Sequence, residues 1–411
     1  MAEVTSQMTT AENTAPSAPG PARTVYFDHA ATSWPKAPGV AEQMQRALLE
    51  LGGNPGRGAY RMAVDTARAI HAVRRDAAEF LGAPDSKDLL FQPGCTQGLN
   101  LALFGLLAPG DRIVACPSEH NAVARPLNVL AQRGVEVVFA ETDEAGYVDP
   151  DAVLALVSEA PTRAVVCQHA GNVTGAIQPV ADLADIAHEH GALMIVDGAQ
   201  AGGHLPVDLG TLSADVWACS GHKGLLGPQG VGLLYLAPEC EPTELVFGGT
   251  GQGESELPVG PTHRPDRYEA GTANVPGIVG LGAAIRWLAE NGEAQRASEA
   301  ALMRRLLEGI GNIGGYRVLG PAPGEPRVPV VSVVHERAQA DQLAFALDKR
   351  YGVAVRSGLH CAPWAHRSLG TLESGALRLS VGRGLTEEDV DLVVEALALL
   401  GRELSRSERG R

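Results

Sequence analysis

The sequence predicts an α/β fold: a large unit on a mostly parallel seven-stranded sheet, then a smaller C-terminal α/β unit. Three observations carry this. Short apolar runs alternate with helical runs over the middle of the chain. Those runs are apolar throughout, as strands are when both faces are buried. After about residue 290 a helical pattern leads into a second set of strands.

Taken in order, residues 1–22 are rich in Thr, Ala, Pro and Ser and read as a disordered tail. They have neither the basic start nor the apolar run of a signal peptide. Residues 23–38, opening on "TVYFDHAAT", form a short strand and a segment expected to pack near the functional site. Helical periodicity follows at 40–51 and 64–81. The large domain, 39–289, then holds seven strand candidates: "DLLFQ", "DRIVAC", "VEVVFAE", "RAVVCQHA", "ALMIVDG", "DVWACS" and "GVGLLYL". Helices at 96–107, 122–133, 150–159 and 180–190 separate most of them, the βαβ alternation of a parallel sheet. The small domain, 290–411, has helices at 294–310, 340–351 and 387–404. Its strands are "YRVLG", "VPVVSVVH", "VAVRSG" and "ALRLSVG", and its tail after about 404 is expected to fray.

Composition excludes several functions. The net charge is −15, with 33 Lys plus Arg against 48 Asp plus Glu. Nucleic acids and anionic membranes need clustered positive charge. No apolar stretch reaches the ~18 residues of a membrane span. The six cysteines are scattered without a C-x-x-C pair, so no metal site or disulfide framework is suggested and a cytoplasmic setting fits. "HEHG", with His188 and His190, reads as a helix end, and "GGTGQGE" as a flexible loop near the site entrance.

One constellation carries chemistry. In "SGHKGLLGPQGVG", Lys223 follows a strand between small residues, beside Ser220 and His222, the setting of a Schiff-base lysine. Pyridoxal phosphate would need a carboxylate against its ring nitrogen. Asp197 ends the buried strand of "ALMIVDGAQ", 26 residues before Lys223 and so about one strand–helix–strand excursion from it, and Gln200 follows within reach of a ring hydroxyl. "FQPGCTQG" passes through Gly94, Cys95 and Thr96 into a helix whose free N–H groups suit a phosphate. His120 in "PSEHNAV" is placed to stack on a planar ring. Asn172, in "GNVTG", ends another strand. All these residues fall at strand carboxyl ends, where open α/β sheets bind ligands.

The segments "YFDHAATS", "SEHNA", "GNVTG", "VDGAQ", "SGHKGLLGPQGVG", "YEAGTAN" and "GLHCAPWAH" resemble the class V aminotransferases among fold-type I pyridoxal phosphate enzymes. More narrowly, they are similar to group II (SUF-type) cysteine desulfurases and selenocysteine lyases. The resemblance implies pyridoxal 5′-phosphate on Lys223, Asp197 on the ring nitrogen, His120 stacked and Gln200 on the hydroxyl. It implies Thr96, Ser220, His222 and the Cys95 backbone on the phosphate, with Thr272 reaching across a homodimer. Arg378 would clamp the substrate carboxylate, with Asn172 nearby. Cys361 would take sulfur from L-cysteine as a persulfide and leave L-alanine, with His360 and Arg356 favouring its thiolate. A sulfur-acceptor protein or small thiol, as in iron–sulfur cluster assembly, would follow.

The chain departs from the family pattern at His29, at Cys95-Thr96-Gln97 and in "APWAHRSLGTLESGA". A selenocysteine lyase, a cysteine or cystine β-lyase, an epimerase and an aminotransferase remain alternatives on the same fold. A non-enzymatic sulfur carrier is the alternative of another class, against which Lys223 and Asp197 both speak.

Overall fold

The computed structural model describes residues 23–56, 58–249 and 258–407, with side chains through 403. The expected N-terminal tail, most of "GGTGQGE" and the last tail residues lie outside the described residues.

The chain opens with β1 (Val25–Tyr26), α1 (Val40–Glu50) and α2 (Arg61–Phe80). The large unit continues with β2 (Leu89–Gln92), α3 (Cys95–Leu106), β3 (Arg112–Ala115), α4 (Asn121–Gln132) and β4 (Glu136–Phe139). Next come α5 (Pro150–Glu159), β5 (Ala164–Gln168), α6 (Val180–Glu189), β6 (Leu193–Asp197), β7 (Val216–Ser220) and β8 (Gly232–Leu236). These strands form one seven-stranded sheet, β2-β8-β7-β6-β5-β3-β4, parallel except at β8. All seven predicted strands are present; six are buried apolar runs covered by helices on both faces, whereas β4, at the sheet's edge, is only partly buried. The two faces carry separate cores, one around Trp217 and Met194, the other around Leu99 and Ile113.

Two details differ from the sequence reading. The chain between β6 and β7 was expected to be a helical excursion and instead runs through turns. The helix expected to start at 294 is α7 (Val275–Gly311), 37 residues long, and it crosses residue 290 without a break. Its first turns, "VPGIVGLGAAI", are apolar all round and glycine-rich, so they show no amphipathic period.

The small unit contains β9 (Tyr316–Leu319), β10 (Val330–His335), α8 (Ala340–Tyr351), β11 (Val353–Ala354) and β12 (Arg356–Gly358). It closes with α9 (Pro363–Ser368), β13 (Ala376–Ser380) and α10 (Glu387–Ser407). "VAVRSG" is thus two strands. β12 joins the antiparallel sheet β12-β13-β10-β9, whereas β11 pairs in parallel with β1. That pairing docks the N-terminal segment on the small unit, with Phe27 in its core, and the chain then turns toward the large sheet at Asp28.

Candidate active site

The carboxyl ends of β2, β3, β5, β6 and β7 share one edge of the sheet. A cavity of about 200 Å³ opens there. Lys223, Asp197, Gln200, His120, Thr96 and Cys95 line it, and so do Ser220, His222, Asn172, Arg356, His360 and Arg378. Of the predicted site residues, only Thr272 and Cys361 stand outside its wall. Thr272 lines a neighbouring cavity of about 530 Å³ that Thr96 also borders.

Lys223 lines the cavity, and its Nζ has no hydrogen bond or ion pair among the described residues. Burial lowers its pKa, opposed by Asp197. A lysine that sheds its proton readily suits a carbonyl partner. Its turn is anchored through His222, whose carbonyl accepts from Ser33 N (2.8 Å), Ser33 Oγ (3.0 Å), Thr32 Oγ1 (3.2 Å) and Lys36 Nζ (3.0 Å). Burial brings Lys36 itself down to about 8. Gly203 (φ +89) packs against Gly224, and a Cβ there would overlap the Gly224 carbonyl.

His120 is the N-cap of α4, and its Nδ1 accepts from Ala122 N at 3.0 Å. Burial, then Lys223, push it down to about 4. The ring is therefore a neutral imidazole in fixed orientation. Asp197 Oδ1 accepts from Ala199 N at 2.9 Å and from the Cys95 thiol at 3.3 Å. The Cys95 backbone N–H donates to Ser220 Oγ at 3.3 Å.

Five buried atoms on the cavity residues have no partner among the described residues: Asn172 Oδ1, Gln200 Oε1, His222 Nδ1, His360 Nδ1 and Arg378 Nε. Each unmet group costs about 1–3 kcal/mol. Their convergence on one cavity marks a polar ligand site. Donors and acceptors of this kind, around a lysine and a carboxylate, fit a ring bearing nitrogen, hydroxyl and phosphate.

The small unit closes the other side. Arg378 is 1% exposed, donates from Nη2 to Asp28 Oδ1 at 2.8 Å and from Nη1 to the Asn172 carbonyl at 3.2 Å. Asn172 Nδ2 donates to the His360 carbonyl at 2.7 Å. Cys361, the one exposed cysteine among the described residues, stands at the rim with Arg356 Nη2 at 3.5 Å from its Sγ. His360 and Cys361 both have positive φ (50° and 57°), a conformation that costs ordinary residues about 1–2 kcal/mol each. Asn121 N, bonded to the Cys361 carbonyl at 2.7 Å, helps hold it.

One expectation is corrected here. His360 does not offer the sulfur a positive charge. Burial, then Arg378, drive it down to about 2, and its Nε2 hydrogen-bonds the Ala376 carbonyl at 3.1 Å. Arg356 is the cation at the sulfur. Asp28, Lys36 and the Ala199 N–H were missed; only the position of Asp28 inside "YFDHAATS" hinted at a role.

His188 and His190 point to different partners, Asp215 and Ser158. A buried cluster of Cys116, Glu119 and Cys167 lies within 4.8 Å. Burial pushes the Glu119 carboxyl and the Cys167 thiol well up, which opposes the deprotonation that metal ligands need.

Fold and site together define a class. The aminotransferase class-V family model matches residues 25–393, and the chain belongs to that family. Within it, the chain is similar to proteins described as cysteine desulfurases. A probable cysteine desulfurase of Methanothermobacter thermautotrophicus is 34% identical over 382 residues, 91% of this chain and 94% of that one. One from Pseudomonas aeruginosa is 35% identical, covering 90% and 92%. The apo structure of a Thermococcus onnurineus cysteine desulfurase superposes with a TM-score of 0.86 at 31% identity, covering 93% and 95%.

Proposed function

We propose that this chain is a pyridoxal phosphate-dependent cysteine desulfurase. The observation that carries the reading is Cys361, exposed and beside Arg356, at the mouth of a cavity built around Lys223 and Asp197. Lys223 would hold the cofactor covalently, Asp197 its ring nitrogen, Gln200 its hydroxyl and His120 its ring face. Thr96, Ser220, His222 and the start of α3 would hold its phosphate. When bound, the cofactor supplies an electron sink for charge developing at the substrate Cα.

The protein's own groups do the rest. Arg378 takes the substrate carboxylate, beside Asn172. Lys223 Nζ moves a proton between Cα and Cβ. Cys361 Sγ, as thiolate, attacks the substrate sulfur. The substrate C–S bond breaks with its electron pair going to Cβ, and an S–S bond forms on Cys361. Cβ takes the proton that Lys223 removed from Cα, and Cα regains the proton that the substrate thiol gave up, to give L-alanine. Arg356 stabilises the negative charge that stays on the terminal sulfur. A protein or small thiol then removes that sulfur at the exposed rim. The enzyme acts as a homodimer in the cytoplasm. Thr272 and the exposed Leu245, Val246 and Phe247 form the face that receives the second copy.

The test is product analysis with L-cysteine. Alanine with cysteine-borne sulfur supports the reading, and pyruvate would assign a β-lyase instead. Lys223→Ala is expected to abolish the visible absorbance of bound cofactor; an unchanged band would overturn its assignment.

A further inference from the structure

Asp197 is gripped on one oxygen only. Its Oδ1 accepts from Ala199 N at 2.9 Å and from Cys95 Sγ at 3.3 Å. Oδ2 receives no hydrogen bond among the described residues, and Asp197 lines the cavity. Cys95 is 4% exposed, at the first residue of α3. Its sulfur also lies 3.2 Å from the Ala218 carbonyl, so a single S–H proton sits between two acceptors. Burial pushes the thiol well up, with Asp197 the next cause, so the sulfur keeps its proton and stays a donor. The other titratable groups near the carboxylate are Lys223, His120, Glu119, Cys167 and Cys219. None of them hydrogen-bonds either of its oxygens.

We propose that Cys95 is a positioning residue whose thiol, bonded to Asp197 Oδ1, turns Oδ2 toward the cofactor ring nitrogen and sets how firmly that nitrogen keeps its proton. The proposal rests on the pyridoxal phosphate reading. A thiol is a weak donor. It therefore fixes the carboxylate while drawing little charge from it, and Oδ2 retains the negative charge that the ring nitrogen needs. The Ala199 N–H alone leaves the carboxylate free to swing about one bond. Cys95 thus acts through Asp197 and touches neither substrate nor reacting atoms.

The test compares holoenzymes loaded with pyridoxal phosphate labelled with nitrogen-15 in the ring. Wild type is set against Cys95→Ala, Cys95→Val and Cys95→Ser, with thermal unfolding of each to confirm the fold. Two readouts are followed: the ring-nitrogen chemical shift and the rate of cofactor release. The donor-free variants are expected to move the nitrogen signal toward the unprotonated position. They should also release cofactor about tenfold faster, the low end for losing a hydrogen bond to a charged group. Cys95→Ser, which keeps a donor, should restore both. Folded Ala or Val variants matching wild type in both readouts would overturn the proposal while leaving the cofactor reading intact. A wild-type protein that takes up no cofactor would overturn both.

Discussion

Arg378 and Asp28 are 350 residues apart in sequence and meet at 2.8 Å in the site. The arginine side chain is 1% exposed and the aspartate 21%. Asp28→Asn keeps the shape and removes the charge. Breaking a fully buried ion pair costs about 3–5 kcal/mol, because the remaining charge is stranded. Here the aspartate is partly wet, and Arg378 keeps its bond to the Asn172 carbonyl. The expected loss is therefore about 2 kcal/mol, a large share of the ~5–15 kcal/mol that holds a protein folded. Urea unfolding of the cofactor-free protein measures it. Arg378→Met and the double variant complete a cycle, with an expected coupling of about 2 kcal/mol. A ligand carboxylate should then replace the missing charge, so L-alanine should stabilise the Asp28→Asn holoenzyme more than wild type. Coupling below about 0.5 kcal/mol, the usual spread for independent sites, would refute the pair as a structural element.

Other predictions concern charge at the site and in the core. Burial holds His29 and His169 at about 4, below the unfolded value of 6.5. Between those values the unfolded chain binds protons that the folded chain refuses, so stability should fall as pH drops from 6.5 toward 4. Each histidine contributes up to about 3 kcal/mol over that window; a urea midpoint unchanged between pH 7.5 and 5 would contradict this. Arg356→Met should retain the cofactor yet slow sulfur transfer about tenfold or more, equivalent to about 1.4 kcal/mol. A normal single-turnover rate would remove Arg356 from the sulfur step. His360 is neutral at every working pH, so the pH–rate profile should show no histidine of ordinary pKa at the Cys361 step. Such an inflection, lost in His360→Gln, would show the imidazole to be ionisable after all.

Much of the fold was legible because its strands are short, mostly apolar and punctuated by helices of clear period. Lys223, Asp197, His120 and Asn172 were legible for the same reason, since each sits where a strand ends. What escaped had no local signal. The start of α7 was hidden because "VPGIVGLGAAI" is buried on all sides and lacks a polar face. "VAVRSG" gave no sign that its halves pair with different partners, β1 and β13. The link between Cys95 and Asp197 joins residues from different strand ends and depends on side-chain direction. The neutrality of His360 follows from its burial against Ala376 and His366 within the small unit, and no neighbouring letter encodes that. The sequence reading has His360 and Arg356 together favouring the thiolate; of the two, Arg356 stands beside the sulfur as a cation.

The central claim is that Cys361 receives the sulfur. Holoenzyme given one equivalent of L-cysteine, without an acceptor thiol, should yield a Cys361 peptide heavier by one sulfur atom in mass spectrometry, with matching L-alanine. Cys361→Ser should bind cofactor normally and yield neither. Alanine formation at the wild-type rate by Cys361→Ser, or sulfur carried on another cysteine, would contradict the account.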